Sequence, residues 1–275
     1  MLHILTLNWN GESHLKSLYL SLVHALEGID YKWMIKDNGS KDNSIEYIKS
    51  LNNDNITIFD YKHNRNNFSQ GCNFLFREAA PKPNDYILLL NNDIIIKNKD
   101  SIKNMIELFE SDDNIGVVGA KLLYSDGDML QHAGVVFSER TNNLPTNYRR
   151  GARQDSDSDK NREFQAITGA VMLTKAKYYE NICRTNKSGL HGLDELYQWC
   201  FEDISACLSI KYDMNKKILY CGNTSFIHEE SATLKKNPVN KLFMNHNVKH
   251  FLNKWQGKYT NDLDRYMTNS NYGLL

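Results

Sequence analysis

Short apolar runs of strand length occur at 3–9, 32–40, 56–61 and 85–93, and segments of helical spacing fill the gaps between them. Leu15, Leu18, Leu22 and Leu26 recur at helical intervals and predict a helix over 13–28. SIEYIKSLNN (44–53) and SQGCNFLFREAA (69–80) predict two more, the first with Ser40 or Asp42 as its cap. Strands alternating with helices in this order predict a parallel sheet covered on both faces, an α/β fold.

After residue 120 the rhythm changes. GVVGAKLLYSDGDMLQHAGVVF (116–137) predicts strands joined by a polar turn at 125–128. The stretch 142–163 is polar, charged and without periodicity, and reads as a long mobile loop of the kind that forms functional lids. Strand character returns at 164–175. A helix is predicted over 201–214, short strands over 217–222 and 224–230, and an amphipathic helix over 237–255. In that last helix Leu242, Phe243, Val248, Phe251, Leu252 and Trp255 fall mostly on one side. No repeat or linker interrupts the chain. One domain is expected over 1–258, with halves meeting near residue 120 and a tail over 259–275.

In open α/β sheets, ligands bind outside the carboxyl ends of the strands. The strand ends here are all short and polar: Asn8 and Asn10, then Asp37 and Asn38, then Asn91, Asn92 and Asp93. The last group interrupts YILLLNNDIII (86–96), an otherwise apolar run. A buried strand that stops in amides and a carboxylate opens into a crevice where such groups meet a ligand.

Composition narrows the class by exclusion. With 33 basic and 33 acidic residues the charges cancel, so no global field points to nucleic acid or membrane. Five cysteines, with none spaced as CxxC, argue against a disulfide framework or a zinc knuckle and fit a reducing cytosol. Cys200 and Cys207 sit among apolar residues and read as core. The first residues lack the basic and apolar regions of a signal peptide, and no apolar run approaches the roughly 20 residues that span a bilayer. Any membrane contact would be peripheral. The excess of Asn, Lys and Ile reads as nucleotide-composition bias.

The motifs resemble glycosyltransferase family 2, of the GT-A fold, and especially its rhamnosyltransferase-like members, over roughly 1–258. TLNWNG (6–11), KDNGSKDNS (36–44), LLLNNDI (88–94), LLYSDGDMLQHAG (122–134), ITGAVMLTK (167–175), FEDISACL (201–208) and FIHEESAT (226–233) follow in the family's order. The resemblance implies a Rossmann-like nucleotide-binding half to residue 120, continuous with an acceptor and catalytic half over 121–258. It also assigns roles. Asp37 accepts a hydrogen bond from the uracil-type base of a UDP- or dTDP-sugar, with Asn8 and Asn10 nearby. Thr6, Asn38, Ser40, Asn73, Asn91 and Gly169 belong to the same sugar-nucleotide set, and Asn92 meets the ribose or supports the metal. Asp93 and His228 hold Mn²⁺ or Mg²⁺ against the diphosphate, and Asp203 is the base, with Glu202 the alternative. Three positions depart from the family pattern. Asn91 replaces the first acid of the metal motif, which leaves Asp93 as its only carboxylate; Asn67 stands before Phe68 where glycine is frequent; and Ser205 replaces a second acid.

Sugar transfer needs these groups. A divalent ion acts as a Lewis acid on the departing diphosphate, and an imidazole ligand tilts the choice towards Mn²⁺. A carboxylate takes the acceptor's proton. One base opposite the leaving group implies a single displacement and inversion, as in inverting glycosidases. The expected acceptor is a glycan hydroxyl in surface polysaccharide, with a modified nucleic-acid base as the alternative. Each residue also has a plainer reading. Asp203 could be an N-cap, His132 a packed turn histidine, and YRRGAR (148–153) a solvated charge run rather than a grip on an anion. A non-catalytic sugar-nucleotide or glycan-binding module is the second functional class. A nicotinamide oxidoreductase is disfavoured because NWNGES, not GxGxxG, follows the first strand.

Overall fold

The computed structural model describes residues 1–60, 66–182, 191–198, 200–229 and 239–267. The first half alternates as expected: β1 (Leu2–Asn8), α1 (Glu12–Ala25), β2 (Tyr31–Asp37), α2 (Ser44–Ser50), β3 (Ile56–Asp60), α3 (Phe68–Ala79) and β4 (Tyr86–Leu90). The short β5 (Ile94–Ile96) and α4 (Ser101–Glu110) lead to β6 (Ile115–Leu123), β7 (Leu130–His132), β8 (Val135–Phe137) and β9 (Pro145–Asn147). There follow β10 (Arg162–Phe164), β11 (Val171–Lys175), α5 (Ala176–Asn181), α6 (Glu202–Leu208), β12 (Lys217–His228), α7 (Val239–Trp255) and α8 (Leu263–Tyr266).

The main sheet runs β10-β12-β6-β11-β4-β1-β2-β3. β4, β1, β2 and β3 are parallel, and β11 is inserted antiparallel between β4 and β6. Side chains alternate across it. Leu88 and Leu90 join Leu15, Leu18, Leu22, Met105 and Phe109 under α1 and α4. Ile87 and Leu89 join Cys72, Leu75, Tyr179, Phe251 and Trp255 under α3, α5 and α7. The two-faced sheet is thus the direct result of period-two burial in strands and helical burial in their partners. α3 opens on a capping box: the Gln70 amide donates to Asn67 at 2.9 Å and Gln70 accepts from the Asn67 amide at 3.1 Å.

Asn91 to Asp93 interrupt the apolar run because it belongs to two strands. β4 ends at Leu90, and the three isoleucines form β5, which pairs antiparallel with β12 through Ile95 and Ile227.

Several expectations need correction. Two short strands are expected over 217–222 and 224–230, but β12 is continuous to His228, with an irregularity between Cys221 and Phe226. The helix expected to Met214 is α-helical only to Leu208 and continues as a π turn, Ser209–Asp213. In α7, Phe243 is exposed, whereas Asn247, Phe251 and Trp255 form the buried stripe; the side chain of Leu242 lies outside the described residues. Residues 259–267, expected as tail, pack against the body: Tyr259 stacks on Phe137 and Tyr266 on Phe164.

The 142–163 stretch is no free lid. β9 pairs with β8 and β10 with β12. Between them the buried Arg149 guanidinium donates to both carboxylate oxygens of Asp155, at 2.8 and 2.7 Å. Arg149 also holds the Asp155 carboxyl well below its usual range. The Arg149→Met variant keeps the side-chain stem and removes this fork. It is expected to lose about 1–3 kcal/mol in urea unfolding, at the low end because Asp155 is part-exposed, and to be nicked faster within 150–161. An unchanged midpoint and unchanged protease resistance would show that edge pairing alone orders the segment.

Candidate active site

The site lies where β4 ends. Because β11 runs antiparallel, its start abuts the end of β4, with Val171 opposite Leu90. The Asn91 amide then donates to the Ala170 carbonyl at 3.0 Å. One residue earlier, the Gly169 amide donates to the Asp203 carboxylate at 2.7 Å. Gly169 must lack a side chain, because a Cβ there would sit 2.9 Å from the Asp203 Cβ. Asp203 and the Asn91–Asp93 turn therefore share one rim.

β12 delivers the imidazole to the same rim. His228 pairs with Ile94, the Glu229 amide donates to the Asp93 carbonyl, and the His228 Nε2 lies 3.3 Å from the Asp93 carboxylate. The other ring nitrogen, Nδ1, donates to Gln131 Oε1 at 2.6 Å, and Gln131 Nε2 donates to the His228 carbonyl at 3.2 Å. The Asn91 amide nitrogen approaches Nε2 at 3.4 Å. The Gln131 contact places a proton on Nδ1 and turns the other ring nitrogen, Nε2, towards Asp93. This is the second-shell arrangement that orients metal-binding histidines. Among the described residues no third His, Cys, Asp or Glu joins them.

Asp203 opens α6, but Phe201 holds the cap position, so Asp203 is not the N-cap. Burial raises its pKa, and hydrogen bonds from the Gly169 and Ile204 amides offset this only in part. Burial also raises Glu202, with the adjacent Asp203 charge adding to it, and Glu202 Oε2 is buried without a hydrogen-bond partner among the described residues. Asp203 faces a cleft of about 370 Å³, walled by Phe201, Met244, Thr168, Asn147 and Arg150. His132 is buried at the back of it. Its Nδ1 donates to Asn147 at 2.8 Å, its Nε2 accepts from the Thr168 amide at 3.4 Å, and burial pushes its pKa down to about 4. It is the packed, neutral histidine, orienting two residues of the cleft.

Four of the expected sugar-nucleotide residues face inward. All four acceptor positions of the Asp37 carboxylate are filled, by the Gly39 and Ser40 amides, the Ser40 hydroxyl and Asn8 Nδ2, at 2.6–2.9 Å. Asn8 in turn accepts from Asn92 at 2.9 Å. Thr6 is fully buried and accepts from the Trp33 indole. Asn73 accepts from Tyr179 and the Leu193 amide and donates to Leu193 and Glu195, which clamps the 191–198 segment. Asp37 and Asn73 thus have every donor and acceptor position used within the protein, and Asn8 and Thr6 are buried beside them. Ser40 shares that network and also takes the Asn10 amide. Asn10 and Asn38 stay nearer the surface, Asn10 in the left-handed region and Asn38 accepting from the ammonium of the buried Lys36. Sequence reasoning missed Gln131. It stands one place from His132 in a quoted motif, and strand alternation alone puts it on the other face, towards His228.

This arrangement is that of a GT-A nucleotide-sugar fold. The chain belongs to glycosyl transferase family 2, whose family profile matches residues 4–180. Asp203 and His228 lie beyond the matched span. No curated protein matches the chain in sequence. Among solved structures, GalNAc-T7 with UDP, GalNAc and Mn²⁺ superposes with a TM-score of 0.64 at 13% identity, covering 100% of this chain and 52% of that one. TarS of S. aureus with UDP-GlcNAc gives 0.61 at 14%, covering 96% and 69%. A mannosyltransferase of Pyrobaculum calidifontis with GDP-Man and Mn²⁺ gives 0.58 at 12%, covering 96% and 68%. The chain therefore spans about half the length of the first of these proteins.

The saturation of Asp37 separates a strut from a ligand contact. In Asp37→Asn an amide donor must face other donors, and the expected loss is about 2–3 kcal/mol in chemical denaturation. Unchanged stability with lost nucleotide binding would restore Asp37 to base recognition.

Proposed function

We propose that the chain transfers a sugar, with inversion, from a UDP- or dTDP-sugar to a glycan hydroxyl in the cleft beside Asp203. The observation that carries the reading is the pair of backbone bonds, Asn91 to Ala170 and Gly169 to Asp203, that ties the base to the Asp93–His228 pair. Asp203 takes the acceptor proton at its carboxylate. Phe201 and Met244 offer an apolar wall and Asn147 and Thr168 polar contacts, a mixture suited to a sugar ring with one flat and several hydroxylated edges. Sugar-nucleotide and Mn²⁺ complexes of structures with the same fold support the donor class.

The donor set fits a divalent ion. One carboxylate supplies a hard oxygen and one imidazole a borderline nitrogen, substrate phosphates would supply the rest, and the nitrogen favours Mn²⁺ over Mg²⁺. When bound, the ion would neutralise charge on the departing diphosphate.

A glycan acceptor is favoured over nucleic acid because the arginines of the basic stretch already have partners within the protein, although only Arg149 is buried. Arg149 is buried on Asp155, Arg153 pairs with Asp128 at 3.0 Å, and Arg150 lies over the Tyr124 ring. Cys72, Cys200, Cys207 and Cys221 are free thiols, in keeping with a cytoplasmic setting and polysaccharide synthesis there. No helix among the described residues is long and apolar enough to cross a membrane.

A thermal-shift and nucleotide-release panel of UDP-, dTDP- and GDP-sugars, with and without Mn²⁺, tests the reading. Asp203→Asn is expected to lower turnover by about 10²–10⁴-fold while retaining the donor-induced rise in Tm. Because burial raises the Asp203 pKa, its basic form appears only at higher pH. Turnover should therefore rise with pH through a limb above the ordinary value of about 3.9. Absence of turnover with every donor, or full activity in Asp203→Asn, would end the proposal. Separately, Gln131→Leu removes the acceptor that orients His228. It is expected to weaken Mn²⁺ binding about 10–100-fold, read by titration of free Mn²⁺; unchanged affinity would remove His228 from the ion site.

A further inference from the structure

The backbone entering α6 is strained at the point where position matters most. Cys200 and Phe201, consecutive and neither of them glycine, both lie in the left-handed region, at φ 60° and 73°. That region is disfavoured for residues with side chains, and a bulky residue there persists only where its surroundings over-determine it. Glu202 and Asp203 follow at once, so whatever holds Cys200 and Phe201 also aims the carboxylate at the Gly169 amide.

The holding contacts come from α7. Asn247 is fully buried and bridges the turn: its Oδ1 accepts from the Gln198 amide at 3.2 Å and its Nδ2 donates to the Cys200 carbonyl at 3.3 Å. One turn on, the Phe251 ring packs on Phe201 with centroids 5.1 Å apart. A turn further, the Trp255 indole donates to Ser205 within α6 at 2.9 Å. Positions 247, 251 and 255 share one helical face. A buried amide in a helix interior is costly unless both its arms are satisfied. Here both arms are used on the backbone that precedes the base.

We infer that Asn247 is a positioning residue for Asp203: it fixes the left-handed turn at Cys200 and Phe201 and so sets the register of α6 against Gly169. The inference rests on the reading of Asp203 as base. One of its readouts does not depend on that reading.

The experiment compares Asn247→Ala with Asn247→Ala/Cys200→Gly in the full chain. Glycine adopts a positive φ without steric conflict, so it relieves the need for the clamp. Two quantities are measured: turnover and KM for the sugar nucleotide that the wild-type protein uses, and amide hydrogen exchange at Gly169, which reports its bond to Asp203. Asn247→Ala is expected to lower kcat at least tenfold, leave the donor KM within twofold and lose at least tenfold in Gly169 protection, with β1 protection unchanged. Adding Cys200→Gly is expected to recover most of both losses. Wild-type turnover and Gly169 protection in Asn247→Ala would overturn the inference, as would losses that Cys200→Gly does not restore. Should Asn247→Ala fail to fold, Asn247→Asp is judged by the same two criteria, since it keeps the acceptor for Gln198 and lacks the donor for Cys200. If wild-type protein turns over no donor, the glycosyltransferase reading fails, and Gly169 exchange alone decides the role of Asn247.

Discussion

The reversal of β11 against β4 is the constraint on which the site depends. A parallel strand in that position would begin at the far end of β4. With five residues in β11, that displacement is about 17 Å, too far for Gly169 to meet a carboxylate at this rim. Run antiparallel, β11 begins beside Asn91, and two backbone amides divide the work. Asn91 bonds to Ala170 and keeps the end of the sheet closed, while Gly169 bonds outward to Asp203. The missing Cβ at Gly169 is part of the same geometry, because α6 approaches too closely for any side chain. The Asp203 carboxylate is thereby referenced to the sheet rather than to a loop.

Most polar groups at this rim serve rigidity. The Asn8, Asp37 and Ser40 cluster holds the ends of β1 and β2 together, and Asn92 extends it to the end of β4. Electrostatic stabilisation of a departing anion is effective when donors and ligands are fixed beforehand, so that reaction requires little reorganisation. A rim whose amides and carboxylate are already satisfied by one another is fixed in that sense. Among the described residues, the amides that keep exposed surface at this rim are Asn10, Asn38, Asn91 and Asn92, with the Asp93–His228 pair behind them.

The first half was legible because burial there follows period. Leu15, Leu18 and Leu22 sit where helical spacing puts them, and the polar strand ends mark the binding edge. What periodicity lacks is a sense of direction for a polar side chain. Asp37, Thr6 and Asn73 belong to site motifs, yet each turns inward, and only the partners Ser40, Trp33 and Leu193 reveal it. The 142–163 stretch was illegible for another reason. Its order comes from a buried guanidinium and from pairing with strands far away in sequence, neither of which leaves a local pattern. β12 is expected as two strands, 217–222 and 224–230, whereas it is one strand that absorbs the break as an irregularity between Cys221 and Phe226. The convergence of Asp93, Asp203 and His228 was reached by family resemblance, since no spacing rule links residues so distant.

The second half concentrates its unfavourable terms around α6. Two partly buried carboxylates stand side by side, and two residues of the preceding turn are left-handed, at a typical cost of about 1–3 kcal/mol each. The raised carboxylates have a definite sign. Their contribution to stability is complete below the unfolded pKa of about 4 and is lost as pH rises through the folded value. Ionising these carboxylates therefore works against the fold, and α6 is too short to hold itself in place. The opposing contacts come from α7, through Phe251 on Phe201 and Trp255 on Ser205. α7 lies outside the span matched by the family profile, yet the carboxylate that the proposed chemistry needs is held in register from there. The family-matched core thus provides the rim, and the chain beyond it provides the force that keeps a reluctant anion facing that rim.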